Sequence, residues 1–432
     1  MGGALLARDP AGLRQLYGRL RGSYGPVAPV TLDLGVPAWL ALGYREVHRV
    51  TSSPGLFTRD WRLWRLRESL PDGWPPLAAI AHGQGSLLHA AGAAHEQRAE
   101  VLSAALESAD LFAVRRRAEA LADRLIDFFC ARGEADLVTE YAAPLSVALL
   151  AGLCGFTEAE LPGLLRDVPR YTSFTLDAPP GSAGPAGPAG SAAHAALSVL
   201  AAVERLVTAP PGPPPGSLAA AMLAHPSRPA PRRVRNDLVA AVLTGCQPLA
   251  DWIAGTLRLM LSDDRFAASP ASPAWRAGHT GARQGVAEAM GEVLWDDGPV
   301  QNWPVRFAVR DARLGGRTIP AGDMVLLSLG AAHHDPQVRR HGAVPTAGSR
   351  ATFAFGHGEH RCPYPAQELA ETVTRAGVEV LLDRLPDAEP AVPLTALTWR
   401  PSLWLRGLLT LPVRFAPSPA AGPGAPPFSP PR

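Results

Sequence analysis

The densest chemistry in the chain lies in Phe355-Gly356-His357-Gly358-Glu359-His360-Arg361-Cys362. A helix-like run follows from about Pro365 to Arg384, so a lone cysteine ends a glycine-bearing loop just ahead of a helix. The unpaired N–H groups and partial positive charge of a helix N-terminus lower a thiol pKa and favour the thiolate. Gly356 and Gly358 permit backbone geometry or close approach that a side chain would obstruct. With no second cysteine nearby, such a thiolate suits an iron better than a disulfide. Two other readings stay open on these residues alone. Cys362 could be a buried structural cysteine. Alternatively His357, His360 and Cys362 could be zinc ligands, although the second ligand pair usual in zinc sites is not evident.

The spacing Phe-Gly-x-Gly-x-His-x-Cys resembles the haem-ligand loop of the cytochrome P-450 (haem-thiolate monooxygenase) superfamily. That resemblance implies haem b (iron protoporphyrin IX) as cofactor. It makes Cys362 the axial thiolate and metal ligand, packs Phe355 beside the sulphur, and sets His360 on a haem propionate. The sequence departs from the pattern just beyond. The family usually has Gly two residues past the cysteine and Leu-Ala at the fifth and sixth positions. Here Pro363, Tyr364 and Pro365 intervene, and Leu369-Ala370 arrive two residues late. Pro365 suits the first helical position, where a missing N–H costs nothing.

The elements that position this loop come next. Arg233–Leu261 is the longest helical pattern, and the resemblance makes it the central helix over the haem. At its middle, Thr244-Gly245-Cys246-Gln247-Pro248-Leu249 stands where the family usually has Ala-Gly-x-Glu-Thr-Thr. There the Glu and Thr form an acid–alcohol relay that delivers protons to dioxygen. The catalytic candidates are therefore Thr244, Gly245, Gln247 and Pro248. Gln does not titrate, and Pro supplies neither hydroxyl nor N–H. Losing positioned proton delivery typically costs a factor of about 10² to 10⁴. Thr244, one turn earlier on the same face, either substitutes for the relay or simply bonds to a backbone carbonyl.

His95-Glu96-Gln97-Arg98 opens a helix to Leu106. The family directs a His, and an Arg four residues later, at a propionate. His95 fits, but Ala99 holds the Arg position, and Arg98 is turned about 100° around the helix. By resemblance Arg306, in the strand Val305–Val309 ahead of Asp311, is a third propionate partner. In the helix Val286–Trp295 the family's Glu-x-x-Arg becomes Glu292-Val293-Leu294-Trp295. Trp295 sits where the guanidinium should be. Glu292, if buried, then needs another cation, with Arg339, Arg340 and Arg350 as candidates.

The remaining chain fits a mainly α fold with a small β-rich lobe. The resemblance implies the triangular helical domain of the cytochrome P-450 fold, with haem between the central helix and the Cys-bearing loop. Val27–Leu32, Ala38–Leu42 and Met324–Leu329 read as strands, and Gly315-Gly316 as a turn between the two later ones. Leu13–Arg21, Tyr44–Val50, Phe112–Arg132, Ala142–Cys154, Leu161–Phe174, Ala192–Val207 and Ser217–Leu223 read as helices. Trp61, Trp64 and Trp74 lie over the substrate pocket or are ordinary packing. The 45 prolines concentrate in Ala178–Gly190, Ala209–Gly216 and the stretch beyond Ala416. We read the first two as flexible connections, residues 1–415 as one domain, and 416–432 as a disordered tail.

At 432 residues and 47% hydrophobic, the chain can bury a large core, and its net charge of +2 argues for neither nucleic-acid nor membrane binding. No apolar run is expected to reach about 18 residues, so no membrane anchor is expected. The scattered Cys130, Cys154, Cys246 and Cys362 suggest reduced thiols in a cytoplasm. The resemblance implies a monooxygenase acting on a small hydrophobic or natural-product substrate, with electrons from an acidic ferredoxin that meets Arg115, Arg116, Arg117 and Arg361. Its alternative is a haem-binding but catalytically weakened homologue with a regulatory role. Some members with an altered Glu-x-x-Arg are encoded with small Ras-like GTPases, which implies a GTPase-associated partner.

Overall fold

The computed structural model describes residues 9–71, 74, 77–81, 85–176, 188–263, 265–266, 279–303, 305–339 and 351–420. In chain order, the N-terminal part runs α1 (Pro10–Tyr24), β1 (Val27–Thr31), β2 (Pro37–Ala41), α2 (Tyr44–Thr51), β3 (Phe57–Thr58) and α3 (Leu77–Ala81). The helical body follows: α4 (Ala93–Glu107), α5 (Leu111–Asp127), β4 (Glu134–Asp136), α6 (Ala143–Cys154), α7 (Leu161–Leu176), α8 (Pro188–Thr208), α9 (Leu218–Ala224), α10 (Pro231–Ser262) and α11 (His279–Asp296). The C-terminal part comprises β5 (Val305–Ala308), β6 (Ala312–Leu314), β7 (Arg317–Ile319), β8 (Met324–Leu327), α12 (Leu329–His333), α13 (Ala366–Arg384), β9 (Glu389–Pro390) and β10 (Pro412–Arg414).

The β-rich lobe is one sheet in the order β1-β2-β8-β5-β3, with only β2 and β8 parallel. It joins the N-terminal strands to β5, the strand that carries Arg306. Gly315 and Gly316 turn a separate hairpin of β6 and β7, so they do not directly join the β5 and β8 strands. Trp64 and Trp74 are buried 5.5 Å apart, and Trp64 also meets Phe307. They belong to the lobe's apolar core, which settles the Trp-rich stretch as packing.

α10 organises the helical body. Ala230 precedes it and Pro231 takes the first helical position, where no N–H is lost. Most of its length is buried, and it packs against α6, α8, α11 and α13. Fully burying residues such as Ile253 and Leu257 contributes roughly 1.5–3 kcal/mol each. α5, capped by Asp110 accepting from the Phe112 N–H at 2.9 Å, lies along α13. The stretches Leu137–Cys154 and Pro231–Ser262 are long and apolar enough to cross a membrane, which corrects the expectation of no such run. In the fold 61% and 67% of their windows are buried, so both serve as core helices.

Two connections are more ordered than their composition suggests. In 209–216 the Gly212 N–H bonds to Ala209 O at 2.8 Å, and Pro214 packs near Gly155. Past the final strand, Ala416 donates to Asp387 at 2.7 Å and Ser418 to Cys130 O at 2.9 Å. The start of the Pro/Ala/Gly stretch is therefore pinned, while 421–432 and most of Ala178–Gly190 lie outside the described residues.

Candidate active site

The Cys362 loop is shaped by its glycines. Gly356 has φ +74°, and a Cβ there would meet Arg361 Cα at 3.1 Å. Gly358 has φ +73°, and a Cβ would drive into the Thr51 carbonyl at the end of α2. Both need the left-handed backbone that glycine adopts freely. The turn closes when the Cys362 N–H donates to Phe355 O at 2.7 Å and the Gly356 N–H to Phe353 O at 2.8 Å. His357 Nδ1 lies 2.9 Å from Thr51 Oγ1, tying the loop to α2. Downstream, Pro365 caps α13 and Ala366 begins it, one residue later than the proline rule suggests.

An imidazole holds the loop from behind. His333 Nε2 accepts the Phe353 N–H at 2.8 Å and lies 3.1 Å from Thr352 Oγ1. Burial pushes its pKa down to about 3, so the ring is neutral and its other nitrogen carries the proton. The Trp295 ring sits 5.1 Å from it and Phe353 stacks at 6.0 Å. An aromatic stack thus stands where an ion pair was expected. Glu292 is instead clamped by Arg265, at 2.7 and 3.1 Å. Of the expected partners, Arg339 pairs with Asp296, and Arg340 and Arg350 lie outside the described residues.

Between the loop and α10 is a cavity of about 300 Å³. Thr244, Gly245, Pro248 and Trp252 of α10 line it, with Leu149 and Leu150 of α6 and, from the loop, Phe355, His360 and Cys362. The Phe355 ring meets Trp252 edge-on at 5.6 Å. Cys362 is open to this space, yet the surrounding protein pushes its thiol up to about 11, with Arg361 pulling the other way. A bound cation would reverse that balance and deprotonate it.

Basic groups gather at the cavity. His95 and His360 have ring centroids 3.9 Å apart. Burial, then Arg59 and Arg306, push the His95 pKa down to about 4 and that of His360 well below its usual range. Neither His360 nitrogen is hydrogen-bonded among the described residues; Nε2 lies 3.1 Å from Glu359 Oε1, out of alignment. Arg306 is buried, donates to Val305 O at 3.1 Å, and is pushed down to about 10 by desolvation, against the pull of Glu359.

Two residues singled out from sequence face away from the cavity. Arg98 turns away and pairs with buried Asp237 at 2.8 Å, locking α4 to α10, so its guanidinium is not directed at the cavity. Gln247 also faces elsewhere: its amide donates to Asp251 at 2.9 Å, and Arg400 grips that carboxylate at 2.8 and 2.9 Å. The cause is the helical step, because at 100° per residue Gln247 is turned that far from Pro248, toward the side where Asp251 stands one turn on. Thr244 Oγ1 donates to Ala240 O at 2.8 Å. Pro248 brings no N–H, so the Thr244 carbonyl loses its helical donor beside the cavity. Sequence reasoning missed Arg59, buried in the cavity wall; its only signal was an arginine two residues past the short apolar Leu56-Phe57 run.

No family model matches the chain. Full-length relatives do. It is 29% identical over 421 residues to the cytochrome P-450 monooxygenase PikC of Streptomyces venezuelae, covering 92% of this chain and 90% of that one. It is 28% identical over 409 residues to the mycinamicin IV hydroxylase/epoxidase of Micromonospora griseorubida, covering 91% and 95%. Among solved structures it resembles P450BioI bound to an acyl carrier protein, with TM-score 0.75, 20% identity and coverage of 94% and 99%. MoxA from Nonomuraea recticatena gives TM-score 0.75 at 23% identity, covering 95% and 97%. The chain belongs to the cytochrome P-450 superfamily. As a cytochrome P-450 it is a haem-dependent oxidoreductase of the monooxygenase class. The residues present fit the cofactor: a thiol open to the cavity, a buried imidazole with unused nitrogens, and buried guanidiniums that call for anionic arms.

Proposed function

We propose that this cytochrome P-450 oxidises a small hydrophobic or natural-product substrate, with haem held on Cys362 and with electrons from a ferredoxin. The observation that carries this reading is Cys362 opening into an apolar cavity beneath the middle of α10. His95, Arg306 and His360 would hold the propionates, and residues 1–415 would act as one domain. When bound, the thiolate-ligated haem supplies dioxygen activation, the sulphur's electron density favouring O–O cleavage.

The chain's own residues do the rest. Leu149, Leu150 and Trp252 make the cavity apolar, which favours an apolar substrate and excludes water. Gly245 lets α6 approach closely, since a Cβ there would meet Leu150 Cδ2 at 2.7 Å. Thr244 commits its hydroxyl proton to Ala240, so it faces the cavity as an acceptor and can fix a water there. Exposed Arg116, Arg117 and Arg361 support the ferredoxin reading. Arg115 contributes less, because Glu119 and Glu379 already hold it at 2.7 and 2.6 Å. Four free thiols support a reducing, cytoplasmic setting.

The alternative, a homologue with weakened catalysis, is favoured by one observation: Gln247 is engaged by Asp251, so α10 brings no acid to the cavity beside Pro248. Nothing described speaks for a GTPase-linked role. The reduced carbonyl complex should show the thiolate-type Soret band, and Cys362→Ala should abolish it; an unchanged spectrum would refute the ligand assignment. Product formed with a surrogate ferredoxin, falling as salt screens over about 10 Å at 0.1 M, separates turnover from mere haem binding.

A further inference from the structure

We propose that Arg59 is the second guanidinium of the propionate site, paired with Arg306. This rests on the reading that haem sits on Cys362. Arg59 follows β3 at the edge of the β-rich lobe, and it is 7% exposed. A buried guanidinium cannot shed its proton and is costly unless an anion meets it. Among the described residues no carboxylate pairs with Arg59. Its only described contact of note is the Trp303 ring, 5.7 Å from the guanidinium carbon. That contact is worth about 2 kcal/mol at a desolvated site, short of the several kcal/mol needed to desolvate an ion.

Its neighbours make matters worse. Arg306 repels it, and both arginines act on His95 and His360. The anion that acts on this group is Glu359, which pulls on Arg306 and lies beside His360. Arg59 in the cavity wall and Arg306 within its electrostatic reach therefore carry two permanent positive charges, while the two imidazoles are neutral. A ligand with two carboxylates balances that count, and each guanidinium can meet one of them. Haem carries two propionates. The other position from which a cation was expected cannot supply one: Ala99 has none, and Arg98 is spent on Asp237. A second sheet-lobe arginine fills the gap from a different element.

Two rival roles make different predictions. Arg59 could serve a substrate carboxylate, or it could simply pack on Trp303. Haem loss from the holoenzyme to excess apomyoglobin separates them, measured with protohaem and with protohaem dimethyl ester, whose propionates carry no charge. Arg59→Met should release protohaem roughly ten- to a hundredfold faster than wild type, the factor expected for a lost charged hydrogen bond. With the dimethyl ester the two proteins should differ by less than about twofold, because the charge term is gone. Arg59→Lys should fall between them with protohaem and match wild type with the ester, which keeps the test usable where the methionine variant does not fold. Protohaem release equal to wild type in both variants would overturn the proposal in favour of a substrate anion. Equal acceleration with both cofactors would overturn it in favour of packing on Trp303. A wild-type protein without the thiolate carbonyl spectrum would instead refute haem ligation by Cys362, the reading beneath it.

Discussion

At the residue scale, position in the helix outweighs residue type. Gln247 was singled out because it replaces an acid, yet its amide serves a buried carboxylate. Restoring the acid should therefore carry a cost. In Gln247→Glu a second carboxylate would face Asp251, which Arg400 already grips through both oxygens. Like charge and burial would raise the new glutamate's pKa above its unfolded value of about 4.3. Folding then binds a proton that the unfolded chain releases, so the variant loses stability relative to wild type as pH rises above about 4.3 and up to its raised pKa. The loss is about 1.4 kcal/mol per unit. Urea unfolding of both proteins at several pH values checks this; a pH-independent difference would show that the amide is not coupled to Asp251. The same lesson covers Arg98. His95 and His360 line the cavity, and Arg306 acts on both of them. Arg98, about 100° around α4 from the expected position, went to Asp237.

At the element scale, what holds α10 and α11 in place was hard to read, because the partners are distant in sequence. Glu292 needed a cation, and that much was legible. Its partner Arg265 was not, since it stands just past α10 and meets α11 only in the folded chain. Asp251 and Arg400 are 149 residues apart, and nothing local marks either. The two pairs should differ sharply in strength. Asp251 and Arg400 have side chains only 2% and 8% exposed, whereas the Arg265 side chain is 49% exposed. Arg400→Met leaves an uncompensated buried carboxylate and should destabilise by about 3–5 kcal/mol. Arg265→Met removes a solvated pair and should cost about 1 kcal/mol or less. Chemical denaturation ranks them; equal losses would mean that burial does not set the strength of these clamps. The strands and long helices, by contrast, were legible because their apolar periods are local. The β6–β7 hairpin was missed because its strands are three residues each, too short to show a period.

At the scale of the whole molecule, the Cys loop is joined to the body through a group that must stay neutral. His333 accepts the Phe353 N–H and sits between Trp295 and Phe353, with its pKa pushed down to about 3 by burial. Its unfolded value is about 6.5. Between these values the unfolded chain binds the proton and the folded chain does not, so stability rises with pH across this window and is fully present above about 6.5. Each unit of acidification below that point should cost about 1.4 kcal/mol through this residue. Half-buried His334 is also lowered and adds to the trend. Protonation would also remove the acceptor that holds Phe353, so the loop bearing Cys362 should loosen. His333→Gln keeps an acceptor without a titrating ring. It should start less stable at neutral pH, because the stack with Trp295 and Phe353 is lost, but its stability should fall less steeply on acidification. Denaturant unfolding at pH 7, 6 and 5, read together with the thiolate Soret band, tests both halves. A His333→Gln protein whose pH slope matches wild type would place the acid sensitivity elsewhere, with His95 and His360, both pushed down, next in line.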